Sequence, residues 1–270
     1  LSGHVPMEGE LVPEKILGVI NRALSDCGLE PLTKEDTAKD ALDLVGSLDL
    51  PVRRPTLCPG CPHRASFYAI RKAVPKAIYP SDIGCYTLGS NLGGVDTVLD
   101  MGAGITLASG FWHAFQQDGV ARPVIATMGD STFFHSGTTG LINAVYNDAR
   151  FVLVILDNGI TAMTGMQPAI TQGLRVDGRK GNAIALETIV KGCGVTYLKV
   201  VDPYDVNHTI DEIRAAHEWA LSPDGGIAVI IARHPCVIGL RDQALTETFE
   251  VIVTDECDDC GLCHLRFECP

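Results

Sequence analysis

The chain has 270 residues, 46% apolar and 20% charged, a globular composition that excludes a disordered chain and allows one large α/β domain or two small ones. Lysine and arginine number 21 against 33 acids, a net charge of -12, so the positive field needed by a nucleic-acid or anionic-membrane binder is missing. No apolar run approaches a membrane span, none being longer than the six residues of Phe151–Leu156.

In chain order, residues 1–50 read as a helical lead-in. Pro13 suits a helix start, Ile16, Ile20 and Leu24 recur at intervals of four, and Gly28 is a stop. A second helix is expected from about Thr33 to Val45, before Pro51, Pro55 and the CPGCP segment break the pattern. From residue 51 to about 240, strand-length apolar runs alternate with helical stretches. Strands are expected at Pro123–Met128, Phe151–Leu156, Thr196–Val200 and Ile227–Ala232, and helices at Thr138–Asp148, Ile184–Lys191 and Asp205–Leu221. Strands apolar on both faces predict a doubly wound, mostly parallel α/β sheet covered on both sides, with chemistry beyond the strands' carboxyl ends. The remaining segment, 241–270, carries eight acids and two bases, hence half the net charge, and four of the ten cysteines. Close CxxC-type clusters point to metal or iron–sulfur ligation in a reducing, cytoplasmic setting. Leu1 in place of methionine points to a processed chain or a fragment.

Two strand ends carry polar triplets: Gly129-Asp130-Ser131 and Asp157-Asn158-Gly159. Each alone reads as a turn. Together they offer hard oxygen donors for Mg²⁺: the Asp130 carboxylate, the Asn158 amide oxygen and a backbone carbonyl near Ile160, with two diphosphate oxygens completing the shell. Gly129 lets backbone approach the phosphates, and the helix after Ser131 offers unpaired N–H groups to an anion. Asp130 and Asn158 lie 28 residues apart, which resembles the thiamine diphosphate fingerprint, with Ser131 in place of its usual third glycine.

The longer text narrows the resemblance. Met128-Gly-Asp-Ser-Thr-Phe-Phe-His-Ser-Gly137, Asp157-Asn-Gly-Ile-Thr-Ala-Met-Thr-Gly165, Leu57-Cys-Pro-Gly-Cys-Pro-His-Arg64 and Met101-Gly-Ala-Gly-Ile105 resemble, in order, the diphosphate-binding part of the large (α) subunit of indolepyruvate ferredoxin oxidoreductases. The resemblance covers essentially the whole chain. It implies thiamine diphosphate with Mg²⁺, oxidative decarboxylation of a 2-oxoacid to an acyl-CoA, and electrons passed through [4Fe–4S] clusters to ferredoxin. Met101, Gly102 and Gly104 would form the turn beneath the thiazolium, and Thr161, Met163 and Thr164 would line diphosphate and thiazolium. His63 could meet a substrate carboxylate, and His135 the diphosphate or thiazole.

The resemblance also implies that Cys58, Cys61, Cys85 and Cys236 hold a cluster near thiamine, with Tyr86 beside Cys85 as a cofactor contact. Read alone, Cys85 and Cys236 are equally small buried hydrophobes, and Cys58/Cys61 a structural pair or zinc half-site. Cys257, Cys260, Cys263 and Cys269 resemble the start of a ferredoxin module, although the last gap is five residues and a second cysteine run is missing. The glutamate that acts on the aminopyrimidine comes, in such enzymes, from a pyrimidine-binding domain, for which residues 1–50 are too short. That domain, a β subunit, ferredoxin, coenzyme A and the 2-oxoacid are the implied partners, in an oligomer. Two other readings stay open: a non-oxidative thiamine lyase of the acetolactate synthase type, and a silent binding module or fragment.

Overall fold

A computed structural model describes residues 5, 6, 9–32, 37–48, 55–239, 252–261 and 263. The chain divides into two compact units, Leu1–Arg54 and Pro55–Pro270. In the first, α1 (Pro13–Asp26) begins with proline in its first turn and Glu14 near the positive helix end. Asn21 clamps the chain beyond α1 by donating to the Leu32 carbonyl and accepting from the Leu32 N–H. Helix α2 spans Thr37–Ser47, and Ile16, Ile20, Leu42, Leu44 and Val45 are exposed.

The second unit is a parallel sheet with helices on both faces. Its first helix, α3 (Pro62–Ala73), starts inside the CPGCP segment, because Pro62 stands at a helix start that needs no N–H from it. Two short strands, β1 (Pro80–Ser81) and β2 (Thr97–Val98), pair in parallel, and α4 (Ala103–Asp118) follows. Strand β3 (Ile125–Gly129) runs into a helix that begins as α5 (Asp130–Thr132), passes through a π turn at Phe133–Gly137 and continues as α6 (Thr138–Tyr146). Then come β4 (Val152–Asp157), the short antiparallel pair β5 (Ile160–Thr161) and β6 (Gln167–Pro168), α7 (Leu186–Gly192), β7 (Tyr197–Val201), α8 (Val206–Ala220) and β8 (Ala228–Arg233). The main sheet has the order β3-β4-β8-β7, all parallel. A parallel bridge between Ile78 and Val124 sets the β1–β2 pair beside β3.

Alternation along the strands divides the core into two layers. Val152, Val154 and Leu156 of β4 pack with Phe67 and Ile70 of α3 and Ile213 of α8, while Leu153 and Ile155 pack on the other face with Ile105, Leu141 and Leu186. Strands β3 and β4 are buried throughout, which is why β4 reads as an unbroken apolar run and β3 as one interrupted only by Thr127. The α/β parallel architecture expected from the sequence is thus present. Among the described residues no helix is long and apolar enough to cross a membrane.

Candidate functional site

The carboxyl ends of β3 and β4 open into a cleft with about 560 Å³ of free space. Gly129, Asp130 and Ser131 reach it from β3, and Asn158, Ile160, Thr161, Met163 and Thr164 from the loop after β4. Met101 enters from the turn before α4, Cys85 and Tyr86 from the turn after β1, and His63 from the first turn of α3. Ile83, Gly84, Thr132, Leu156 and Ala162 also line it; Thr132 and Ala162 stand inside the quoted motifs, but none of the five had been given a role.

Asp130 is buried, and its Oδ2 accepts the Gly159 N–H at 3.1 Å, which joins the two strand-end loops. Burial, and then the neighbouring Asp157 carboxylate, push its pKa up. Asp157 is itself offset by the Arg233 guanidinium at 2.6 Å, whose other nitrogens grip Glu187. A buried carboxylate pressed by a second one is a site that a cation relieves. The donors beside it are hard oxygens, so the set fits Mg²⁺. Asn158 Oδ1 accepts the Ile160 N–H at 3.1 Å, while its Nδ2 lies 3.3 Å from His63 Nε2. Thr161 Oγ1 donates to Ser131 Oγ at 2.8 Å, linking the loops again.

Gly102 and Gly104 lie outside the lining and act by close packing. Gly102 has φ +97°, and a Cβ there would come within 2.4 Å of Ser136 Oγ; one at Gly104 would come within 2.8 Å of the Thr127 carbonyl. These contacts seat the Met101 turn on β3 and the π turn. His135 is exposed and is not among the residues that line the cleft. The π turn drives Phe133 into the core and carries His135 to the outer side. His63 is buried, and burial lowers it to about 4, so its imidazole is neutral. It meets Tyr86 edge-on at 6.1 Å.

Sequence reasoning missed Asp82, which lies at the end of β1 with no motif around it. Its Oδ2 accepts the Gly102 N–H at 2.9 Å, and Oδ1 is buried without a partner. Burial raises its pKa from 3.8 to about 6, against the opposing pull of the nearby Tyr86 hydroxyl and the Gly102 N–H. The folded state therefore keeps a proton that the unfolded chain loses, and stability falls as pH rises from about 4 to about 6, by about 3 kcal/mol in all. Asp82→Asn keeps an acceptor for Gly102 and should remove this slope, with the variant the more stable above pH 6. Urea unfolding at pH 4.5 and 7.5 checks it; identical slopes for both proteins contradict it.

A second cavity, with about 670 Å³ of free space, adjoins the first and shares His63, Cys85, Asn158 and Ala162 with it. Cys58, Cys61, Cys85 and Cys236 all line it. Arg64 braces the loop by donating to the carbonyls of Leu57 and Cys58, and the Cys236 N–H donates to the Asn158 carbonyl at 3.2 Å. Burial first, then the neighbouring thiols, raise Cys61 to about 11. Four facing thiols are a soft donor set that suits an iron–sulfur cluster. Among the described residues, no three His, Cys, Asp or Glu stand close enough to grip one ion. A cluster asks for a wider spacing, since each thiolate binds a different iron. Cys257, Cys260 and Cys263 are exposed, and Cys269 lies outside the described residues.

Comparison with known proteins agrees with this geometry. Residues 82–232 match the family model described as thiamine pyrophosphate enzyme, C-terminal TPP binding domain. The chain is 44% identical over 279 residues to the indolepyruvate oxidoreductase subunit IorA of Archaeoglobus fulgidus, covering 100% of this chain and 42% of that protein. It is 41% identical over 288 residues to the same subunit of Thermococcus kodakarensis, covering 99% and 43%. The chain thus spans about two fifths of the length of these curated relatives. The resemblance read from the four motifs is borne out. Among solved structures, a 2-oxoglutarate:ferredoxin oxidoreductase from Magnetococcus marinus shares the fold, with a TM-score of 0.55 and 20% identity over 70% of this chain and 66% of that one. With a matched region that takes in both strand-end loops, the chain belongs to the thiamine pyrophosphate enzymes and carries their C-terminal TPP-binding domain.

Proposed function

We propose that this chain is the diphosphate-binding part of a cytoplasmic 2-oxoacid:ferredoxin oxidoreductase that acts on aryl pyruvates such as indolepyruvate and forms an acyl-CoA. The observation that carries the reading is the adjacency of two cavities, one with Asp130 and Asn158 at its edge and one faced by four cysteines. Asp130, the Asn158 amide oxygen and the Ile160 carbonyl would hold Mg²⁺, and Gly129 and Ser131 would meet the diphosphate. Cys58, Cys61, Cys85 and Cys236 would hold a [4Fe–4S] cluster, and Cys257, Cys260, Cys263 and Cys269 would open a ferredoxin-like module. Thiamine diphosphate supplies a nucleophilic carbon for decarboxylation, and iron–sulfur clusters accept electrons one at a time.

The residues of this chain contribute position and dryness. Met101 and Met163 border the cleft, Asp130 is kept from water, and the neutral His63 adds no charge to the wall between the cavities. A pyrimidine-binding domain, a β subunit, ferredoxin and coenzyme A complete the assembly in this reading. The domain division follows the same logic: a lead-in over 1–50, the diphosphate-binding domain over 51–240 and the ferredoxin-like segment over 241–270. A non-oxidative lyase has no use for the cysteine cavity. The test is anaerobic assay of the full-length subunit with its partner, thiamine diphosphate, Mg²⁺ and coenzyme A. Indolepyruvate-dependent reduction of ferredoxin is the expected result; decarboxylation without electron output would overturn the reading in favour of the lyase.

A further inference from the structure

Two cavities share one wall, and its polar centre is a single pair of side chains, His63 and Asn158. The Asn158 amide has its orientation set from both ends. Its Oδ1 accepts the Ile160 N–H at 3.1 Å, so turning the amide over would set donor against donor. Nδ2 then faces His63 Nε2 at 3.3 Å, and since an amide nitrogen can only donate, His63 Nε2 is the acceptor. One lone pair of Oδ1 is left for a cation. His63 cannot swing away, because it is buried in the first turn of α3 and meets Tyr86 edge-on at 6.1 Å.

We propose that His63 is a positioning residue that fixes the Asn158 amide with its oxygen turned to the divalent cation, so that the loop bearing Cys58 and Cys61 also shapes the cation site. This rests on the cation reading given under the proposed function. The physical warrant is that a ligand's outer partner orients it and governs its affinity, commonly by ten- to a hundredfold. The link has a second strand: Cys236, from the same cysteine set, donates its N–H to the carbonyl of Asn158 at 3.2 Å. Backbone and side chain of one residue are thereby tied to the cysteine cavity.

The experiment measures Mn²⁺, standing in for Mg²⁺, by the electron paramagnetic resonance signal of the free ion. It uses the full-length subunit with its partner and saturating thiamine diphosphate, and it needs no turnover. His63→Leu fills the buried position with an apolar side chain and removes the acceptor, and it should weaken Mn²⁺ by about tenfold or more. His63→Gln offers a carbonyl acceptor and should restore most of that loss. If His63→Leu binds Mn²⁺ like the native protein, or if both variants lose affinity equally, the positioning role is overturned. If the native protein itself binds no Mn²⁺ with thiamine diphosphate, the underlying cation reading falls, and the role of His63 with it.

Discussion

Replacing Asp130 by asparagine is expected to abolish stabilisation by thiamine diphosphate and Mg²⁺ together. The native protein at a hundred times the dissociation constant should gain about 2.7 kcal/mol, which for a domain of this size raises the melting temperature by about 5 to 10 °C. The variant should show no shift. Asparagine keeps an oxygen for the Gly159 N–H, so the loop contact at 3.1 Å survives and the loss reports on the cation rather than on folding. The ligand-free variant should be at least as stable as the native protein at pH 8, because a carboxylate held in a buried place beside Asp157 has been removed. Thermal melts with and without ligand check both halves. A ligand shift that survives the substitution would remove Asp130 from the site.

Cys61→Ser should have the second large effect, and on the other cavity. Its thiol faces the same space as those of Cys58, Cys85 and Cys236, and serine is a poor ligand for iron in a sulfur-rich site. Iron should fall by one cluster per chain, with loss of the matching reduced-cluster resonance, while thiamine diphosphate binding persists because Cys61 does not line that cleft. Electron output to ferredoxin should drop to background. Retention of full iron and of the resonance would mean that the four thiols are structural. Together the two substitutions separate the cavities: one loses the coenzyme and keeps iron, the other does the reverse.

The sequence alone was enough for the central strands, because β3 and β4 are buried on both faces and so appear as largely apolar runs, with Thr127 the one polar break, leading into polar triplets. Asp130 and Asn158 were legible for the same reason: a strand end in a parallel sheet places its next residues at the ligand edge. Helix α3 was not, since its opening proline reads as a breaker until the turn before it is known. Strands β1 and β2 have two residues each, too few for any period.

Adjacency across long stretches of chain, by contrast, arises only on folding. Cys58 and Cys236 reach one cavity because β8 lies beside β4 in the sheet, an order that no local pattern encodes. Asp82 gained its importance from Gly102, twenty residues away, and Arg233 from Asp157, across neighbouring strands. His135 shows the converse, since the motif around it was readable but the π turn set the side to which it points. Periodicity and turn chemistry are local properties of a chain, whereas the meeting of loops depends on strand order and packing, which form only when the whole sheet does.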